Sequence, residues 1–296
     1  MTRPLLLVDS ASLYFRAFFG VPESAAKAPD GMPVNAVRGF LDMIATLVRT
    51  RRPDRLVCAL DEDWRPAWRV DLLPAYKAQR LSPSGGETVP DALIPQVPII
   101  LAALTAVGID VVGLEGYEAE DIVASLAAKV KPPIEIASGD RDLFSQVRGR
   151  DIIVLYPQKG GPAEVDEAEV AKRYRIPGRA YSDFAILRGD PSDGLPGLPG
   201  IGDKTAAQMV TRYGSVEKML EAGVIRNPEH ADYLRRALKV VPPVRDLKIK
   251  VPRGRRDRYP DEPDLVAVIG KKYGIQNNLD RLIKALTSLK ATTAKN

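Results

Sequence analysis

Nine carboxylate side chains occupy positions in this sequence from which they could act together. Three of them, Asp9, Asp61 and Asp140, follow short apolar runs of the kind that form buried strands. The complete set is Asp9, Asp61, Glu118, Glu120, Asp121, Asp140, Asp142, Asp190 and Asp193. Each of them alone could be an ordinary turn or N-cap residue. Together, at one edge of a sheet, they would repel one another unless cations neutralised them.

Hard divalent cations such as Mg²⁺ or Mn²⁺ are the natural partners of such a set, because they prefer oxygen ligands. Two such ions about 4 Å apart form the usual clamp for in-line attack on a phosphodiester. The residue types therefore favour a metal-dependent phosphoryl-transfer site.

The spacing of the carboxylates supports this interpretation. At about 100° per residue, Glu118 and Asp121 share one face at the start of a helical pattern, with Glu120 partly offset. Asp190 and Asp193 lie about one helical turn apart. Acidic residues in a first helical turn also complement the helix dipole, so this spacing alone does not decide the matter.

The stretch GDPSDGLPGLPGIGDKTA, residues 189–206, joins two of these carboxylates to a predicted helix start. Gly and Pro both weaken ordinary helices and strands, so a run this rich in them specifies a particular backbone path. Gly200 and Gly202 would let the backbone approach a ligand closely, and the amides after them could donate to a phosphate.

Short apolar runs alternate with helical patterns over the first two-thirds of the chain, which predicts an α/β fold with a mainly parallel sheet. Strands are predicted at residues 5–8, 56–60, 134–137 and 152–155, and helices at 34–49, 94–107 and 118–130. Ligands of such sheets gather at the carboxyl ends of the strands. The elements would therefore carry Asp9, Asp61 and Asp140 to one edge.

Two regions break this alternation. Residues 62–93, called the insert below, predict an inserted, mobile and basic segment. From about residue 170 the pattern becomes helical, with turns predicted at Gly214, Gly223 and Gly270. We expect an α/β core over residues 1–180, a helical region over 181–290 and a tail over 291–296.

Composition narrows the possible chemistry. The chain of 296 residues has one cysteine, Cys58, and one histidine, His230, which argues against a disulfide, a cysteine zinc site and a histidine-based triad. Neither a signal peptide nor a membrane span is expected, and a reducing, cytoplasmic setting is the natural interpretation. There are 43 Lys and Arg against 38 Asp and Glu. With nine carboxylates committed to metal ions, the remaining surface is strongly positive and suits a nucleic-acid backbone.

These motifs together resemble the bacterial 5′-nucleases, meaning the 5′→3′ exonuclease domain of DNA polymerase I and its stand-alone flap endonuclease relatives. The matching segments occur in family order and span nearly the whole chain: LVD ending at Asp9, LD at Asp61, YKAQR at 76–80, GYEAED at 116–121, SGDRD at 138–142 and GDPSDGLPG at 189–197, continuing to Lys204 and Thr205.

The resemblance implies a fold and a set of roles. The fold would be a PIN-like α/β core with a helical arch in the insert and a helix–three-turn–helix that binds duplex DNA. One divalent ion would be held or oriented by Asp9, Glu118, Glu120 and Asp140, and a second by Asp142, Asp190 and Asp193. Asp61 and Asp121 would complete the acidic ring, partly through water. Lys77 and Arg80 would lie on one helical face and hold the scissile phosphate.

The DNA contacts are implied in the same way. Tyr76 would stack on a base and Arg69 would join the arch group, while Gly200, Gly202, Lys204 and Thr205 would grip the duplex. A monovalent cation such as K⁺ would bind carbonyls of that turn. The expected protein is a cytoplasmic, monomeric nuclease acting on 5′ flaps and gapped duplexes in primer removal and repair, beside a DNA polymerase and a ligase.

The sequence departs from the family pattern at two positions and leaves one assignment open. Glu120 and Gly194 stand where family members usually carry Asp and Asn. Asp63 competes with Asp61 for the family position, although Asp61 is favoured because it ends a strand.

Three other functional interpretations of the sequence have weaker support. A haloacid dehalogenase-type phosphatase would need an Asp at the position of Ala11. A PIN-type ribonuclease would lack both the arch and the Gly-Pro hairpin. A DNA-binding protein that has lost its metals would not be expected to retain all nine carboxylates.

Overall fold

A six-stranded sheet forms the centre of the molecule. The computed structural model describes residues 3–83, 85–86 and 88–291. Within them the strands are β1 (Leu5–Asp9), β2 (Arg55–Ala59), β3 (Asp110–Val112), β4 (Ile134–Ala137), β5 (Ile152–Tyr156) and β6 (Ala163–Val165). Their order is β3-β2-β1-β4-β5-β6, with β1 to β5 parallel and β6 antiparallel at one edge. The predicted mainly parallel α/β class is confirmed.

The strand order reverses direction at β1. The chain proceeds from β1 to β2 and β3 on one side, then returns to place β4 and β5 on the other side. Such a switch point opens a crevice beyond the carboxyl ends of the two central strands. Asp9 ends β1, and Asp140 follows three residues after the end of β4, so the topology itself delivers both carboxylates to this crevice.

Helices cover both faces of the sheet. They are α1 (Ser10–Gly20), α2 (Asn35–Arg51), α3 (Ala67–Leu72), α4 (Gln96–Val107), α5 (Ala119–Lys129), α6 (Glu167–Tyr174), α7 (Tyr181–Arg188), α8 (Asp203–Tyr213), α9 (Val216–Glu221), α10 (Pro228–Val240), α11 (Pro263–Tyr273) and α12 (Gln276–Ala291). In the described part of the chain, five short 3₁₀ turns connect them: Glu23–Ala25, Ala78–Arg80, Asp142–Gln146, Gly178–Ala180 and Pro191–Asp193. No helix among the described residues combines the length and apolarity that crossing a membrane requires.

Each face of the sheet has its own hydrophobic core, because side chains alternate along a strand. Leu5 and Leu7 pack on the face covered by α5, α7, α8 and α10, whereas Leu6 and Val8 pack on the face covered by α1, α2, α4 and α12. Strands buried on both faces give the unbroken apolar runs seen in the sequence.

The last two helices return to the first part of the chain. Arg281 of α12 pairs with Asp42 of α2 at 2.8 Å, and Asn278 donates to the same carboxylate at 2.9 Å. The division at residue 180 stays a prediction, and residues 292–296 of the predicted tail lie outside the described residues.

The predicted turn at Gly270 is wrong. Gly270 lies inside α11, where a Cβ atom would come within 2.0 Å of Oε1 of Gln276, so glycine serves close packing there. The helix instead ends at Gly274, which has a φ of 63°. The turns at Gly214 and Gly223 follow α8 and α9 as predicted.

The insert differs from its prediction in one respect. Its described residues contain the short helix α3 and the turn Ala78–Arg80, but by composition it is not a basic segment. Its cations Arg65, Arg69, Lys77 and Arg80 are outnumbered in the sequence by Glu62, Asp63, Asp71, Glu87 and Asp91. Residues 84 and 87 lie outside the described part, so the predicted mobility of this stretch stays a prediction.

Candidate active site

Asp9 lies at the base of the crevice between β1 and β4. Its Oδ1 accepts a hydrogen bond from the amide of Ser12 at 3.1 Å, and its Oδ2 accepts one from Oγ of Ser138 at 2.6 Å. Ser12 in turn accepts from the amide of Gly139 at 2.6 Å, which joins the two strand ends. Burial and the neighbouring carboxylate of Asp61 raise the pKa of Asp9 to about 7.

Three carboxylates above Asp9 form the strongest candidate for a metal site, called the carboxylate cluster here. One oxygen from each of Glu120, Asp140 and Asp142 lies within 4.8 Å of the other two. The amide of Asp142 donates to Oδ1 of Asp140 at 2.9 Å, which fixes the two side chains relative to each other. Burial raises the pKa of all three carboxyls. Oxygen ligands at this spacing fit a hard divalent cation.

Asp193 extends the cluster toward the 190–195 turn. Burial, Asp140 and Asp193 raise the pKa of Asp142 well above its usual value, and a side-chain hydrogen bond with Asp193 contributes to that rise. Asp190 is held on both sides: its Oδ1 accepts from the amide of Ser192 at 3.0 Å, and its Oδ2 lies 3.3 Å from Nη2 of Arg188.

Glu118 and Asp121 are held in a capping box at the start of α5. Asp121 accepts from the amide of Glu118 at 3.2 Å and from the amide of Val244 at 2.8 Å. It is completely buried and lines neither cavity of the site. The prediction that Asp121 completes the acidic ring is therefore wrong, because its oxygens bond to internal donors.

Arg69 is the main internal counter-charge of this region. Its guanidinium contacts Glu118 at 2.5 Å, Asp121 at 2.7 Å and Glu120 at 3.2 Å, and its Nε donates to the carbonyl of Val240 at 3.0 Å. The side chain is 0% exposed. The predicted contact of Arg69 with DNA is therefore wrong, and Arg69 instead ties the insert to α5 and α10.

Tyr76 and Lys77 also face inward. The Tyr76 hydroxyl donates to Oε1 of Glu118 at 2.8 Å, and Nζ of Lys77 pairs with Oε2 of Glu118. Burial would raise the pKa of Glu118, but Lys77 and Arg69 outweigh it and lower that pKa. Tyr76 is buried, so the prediction that it stacks on a base is wrong in this structure.

Lys77 and Arg80 do not share one face of a regular helix as predicted. Lys77 has a φ of 51° and precedes the 3₁₀ turn Ala78–Arg80. Nη2 of Arg80 instead reaches Oδ1 of Asp193 at 2.8 Å, and its side chain remains 38% exposed. Both residues still border the same cavity, so their predicted contact with the scissile phosphate stays a prediction.

Two adjoining cavities occupy the crevice. The first measures about 480 Å³, and its polar lining includes Asp9, Asp61, Lys77, Gln79, Arg80, Glu118, Glu120 and Asp140. The second measures about 320 Å³ and reaches Asp142, Asp190, Asp193 and Arg141. Asp61 borders the first cavity, and its Oδ1 accepts from the amide of Ala119 at 2.6 Å. Asp63 instead accepts from the amide of Arg65, which favours Asp61 at the family position.

The Gly-Pro stretch folds back tightly on the end of α7. Asp190 and Leu195 form an isolated bridge, and the amide of Leu198 donates to the carbonyl of Leu187 at 2.9 Å. A Cβ atom on Gly197 would lie 2.5 Å from the backbone of Arg188, so this path requires glycine there. The stretch thereby places Asp190 and Asp193, called the second acidic pair below, next to the start of α8.

The start of α8 presents open backbone amides. Its N-cap is Gly202, and no described side chain caps it. Lys204 and Thr205 are exposed in the first turn, and Gly200 has a φ of 76° with open space around it. Such a helix start attracts a phosphate. Arg188 lies 3.8 Å from Asp203, so it links this start to Asp190.

Several residues of the site were missed by sequence reasoning. Ser12 and Ser138 orient Asp9, Gln79 reaches the 190–195 turn, and Arg188 and Arg141 approach Asp190. Ser138 and Arg141 stand inside the recognised SGDRD motif and Gln79 inside YKAQR, which were the available signals for these three. Ser12 and Arg188 lie three and two residues from their partners Asp9 and Asp190, and no recognised motif includes them.

The raised pKa of Asp9 predicts how metal ions affect stability. Its carboxyl has a pKa of about 7 in the folded protein against 3.8 as its ordinary value. The contribution of Asp9 to the free energy of unfolding is therefore greatest below pH 4. It decreases by at most about 1.4 kcal/mol per pH unit as the pH rises to about 7. Thermal melting without metal should show Asp9→Asn gaining stability over the wild type at pH 8, and no gain at pH 8 would contradict the shift. Mg²⁺ should raise the wild-type Tm more at pH 8 than at pH 5.

Family comparisons agree with the fold of this chain. Residues 4–175 match the family described as 5′-3′ exonuclease, N-terminal resolvase-like domain, and residues 176–250 match 5′-3′ exonuclease, C-terminal SAM fold.

Individual relatives match along almost the whole chain. A 5′-3′ exonuclease of Streptomyces coelicolor is 46% identical, covering 96% of this chain and 100% of that protein. A 5′-3′ exonuclease of Mycobacterium tuberculosis is 42% identical, covering 98% of this chain and 99% of that protein. The bacteriophage T5 D15 flap endonuclease, solved in a complex with DNA and metal ions, shares the fold with a TM-score of 0.62 at 15% identity. The match covers 97% of this chain and 99% of that chain. The chain is therefore a nuclease that belongs to the 5′-3′ exonuclease family.

Proposed function

We propose that this protein is a divalent-metal-dependent 5′→3′ exonuclease and structure-specific flap endonuclease that hydrolyses DNA near 5′ ends and at junctions between single and double strands. The observation that carries the proposal is the carboxylate cluster of Glu120, Asp140 and Asp142 at the switch point of the sheet. Its neighbours are a cavity bordered by Lys77 and Arg80 and an open helix start suited to phosphate.

Two Mg²⁺ or Mn²⁺ ions are the proposed cofactors. The carboxylate cluster would hold one, with Asp9 beneath it, and Asp142 with Asp190 and Asp193 would hold the other. Metal ions in such sites activate water and stabilise charge on the attacking and leaving oxygens. Asp9 would act mainly by orientation, because Ser12 and Ser138 already bond to its two oxygens.

The protein's own cations would orient the scissile phosphate. Arg80 is half-exposed at the junction of the two cavities, so its guanidinium can contact a phosphate without leaving the site. Lys77 pairs with Glu118, so a phosphate or a metal would compete for one member of that pair. Phe15 and Trp64 contribute apolar walls that would limit water around the reacting group.

Duplex DNA would bind through the start of α8. The amides after Gly202 would donate to a phosphate, Lys204 would add charge, and Gly200 would allow the close approach. A monovalent cation such as K⁺ on carbonyls of this turn belongs to the same proposal. Arg188 would keep the start of α8 at a fixed distance from Asp190. Because the DNA would bind at the start of α8, this distance would determine which phosphodiester is cut.

Replacing Lys204 with alanine should weaken duplex binding about equally for all sequences, since the lysine would contact the backbone. The slope of log affinity against log salt should become shallower by about 1. Anisotropy titrations over a range of salt concentrations measure this slope. Lys271→Ala on the exposed side of α11 is the matched control. An unchanged slope in Lys204→Ala would remove Lys204 from the DNA interface.

The reaction leaves nicked or gapped duplexes, so a DNA polymerase and a ligase are the proposed partners, with primer removal and repair as the setting. A monomer in the cytoplasm is proposed. Cleavage rates on flapped, gapped and single-stranded DNA of the same sequence test the substrate class. The flapped and gapped duplexes should be cut faster, and equal rates on all three would contradict junction specificity.

A further inference from the structure

The base of the insert rests directly on the 190–195 turn, which carries the second acidic pair. The amide of Lys77 donates to the carbonyl of Asp193 at 2.9 Å. Nε2 of Gln79 donates to the carbonyl of Ser192, and Nη2 of Arg80 donates to the same carbonyl at 3.0 Å. Arg80 also pairs with Oδ1 of Asp193 at 2.8 Å. Both the backbone and the side chain of Asp193 are thus held by the insert.

This contact depends on the absence of a side chain at position 194. Gly194 has a φ of 69°, and a Cβ atom there would lie 2.0 Å from the carbonyl oxygen of Ala75 and 3.1 Å from Oε1 of Gln79. The positive φ alone does not require glycine, because Asn adopts this conformation readily. The close approach of Ala75 does require it, because backbone cannot give way as a flexible side chain can.

The 190–195 turn is coupled to the rest of the acidic site through Asp193 and Lys77. Asp193 lines the same cavity as Asp142 of the carboxylate cluster. Lys77 holds the turn with its amide while its ammonium pairs with Glu118. A displacement of the insert base would therefore move Asp193 relative to the carboxylate cluster.

We propose that Gly194 and Gln79 form a latch that seats the insert on the 190–195 turn, and that Gln79 is a positioning residue for Asp193. The latch rests on the proposed function, because its effect on catalysis acts through a metal held by Asp193. Gln79 suits this role because its amide donates to the turn without adding a charge beside the carboxylates. The departure of Gly194 from the family's usual Asn thereby acquires a physical reason.

Hydrogen exchange of the folded protein without DNA or metal tests the latch independently of cleavage. In Gly194→Asn, the amide of Lys77 should exchange about tenfold faster or more, because the new side chain displaces Ala75. Gly223→Asn is the matched control, since Gly223 has a φ of 63° and open space around its Cβ position. Equal exchange at Lys77 in both variants would overturn the latch. A wild type without nuclease activity would refute the proposed function. The comparison of exchange at Lys77 in the two variants would still show whether the latch exists.

Gln79→Met provides a second test that leaves the backbone intact. It keeps the length of the side chain but removes the donor to Ser192. Mn²⁺ binding measured without DNA should weaken about threefold to tenfold, and kcat should fall at subsaturating Mn²⁺ while KM for DNA stays constant. A higher KM with unchanged Mn²⁺ binding would make Gln79 a DNA contact and overturn its role as a positioning residue.

Discussion

Replacing Asp142 with asparagine is expected to reduce the cleavage rate by about 10³-fold or more, because Asp142 belongs to both proposed ion sites. An amide supplies no negative charge to a divalent ion. DNA binding should persist, since the proposed contacts at α8 and Arg80 remain. The fold should persist too, because burial, Asp140 and Asp193 already raise the pKa of Asp142 and disfavour its charged form. Single-turnover cleavage and anisotropy on the same DNA measure the two effects separately.

The control for this substitution is Asp246→Asn, which changes an exposed carboxylate in the segment between α10 and α11. It should cleave at the wild-type rate. Thermal melting at pH 8 without metal should show Asp142→Asn to be at least as stable as the wild type. Wild-type cleavage by Asp142→Asn would remove Asp142 from the metal site, and loss of the fold would refute the electrostatic argument.

Replacing Arg69 with methionine is expected to lower the free energy of unfolding by about 3–5 kcal/mol, the usual cost of removing one partner from a buried ion network. Glu118, Glu120 and Asp121 would lose the guanidinium that contacts all three. The loss should be larger at pH 8 than at pH 5, because protonation relieves carboxylates that have lost their counter-charge. Urea unfolding at the two pH values measures both effects.

Arg69→Lys keeps the charge but cannot contact three carboxylates, so it should fall between the wild type and Arg69→Met. Arg226→Met, at an exposed arginine before α10, should leave the free energy of unfolding within about 0.5 kcal/mol of the wild type. Equal stability of Arg69→Met and the wild type at pH 8 would show that the buried network contributes nothing to folding.

Sequence reasoning predicted the strands that form the centre of the sheet. β1, β2, β4 and β5 are buried on both faces, so each appears as an apolar run, which Glu135 interrupts in β4 by pairing with Arg51. β3 and β6 were missed because each has three residues at an edge of the sheet, too few for any periodicity to show. Aspartates at strand ends could be assigned to one edge because parallel strands share their direction.

The inward-facing residues of the insert could not be predicted in the same way. The interpretation of residues 62–93 as a basic insert predicts exposed side chains at Arg69 and Tyr76. Their partner Glu118 lies 49 and 42 residues away, at the start of α5. No local sequence pattern predicts such a pairing. The predicted turn at Gly270 was wrong for a related reason. Glycine is required there by packing against Gln276 and not by a turn.

The carboxylate cluster was predicted as part of a larger set. Glu120, Asp140 and Asp142 do come together, while Asp121 and Glu118 bond instead to internal donors and cations. Sequence spacing placed these residues on neighbouring elements. It could not show which oxygens would be left facing the crevice, since that depends on the positions of Arg69 and Lys77.

The most direct test of the central claim is cleavage of a 5′-flap duplex, labelled at either end, in the presence of Mg²⁺, Mn²⁺ or EDTA. The proposed function predicts cutting at or near the flap junction with either metal and none with EDTA. The two labels separate release of the whole flap from trimming of single nucleotides. Binding of the flap without cutting under both metals would contradict the account and favour a DNA-binding protein without catalysis.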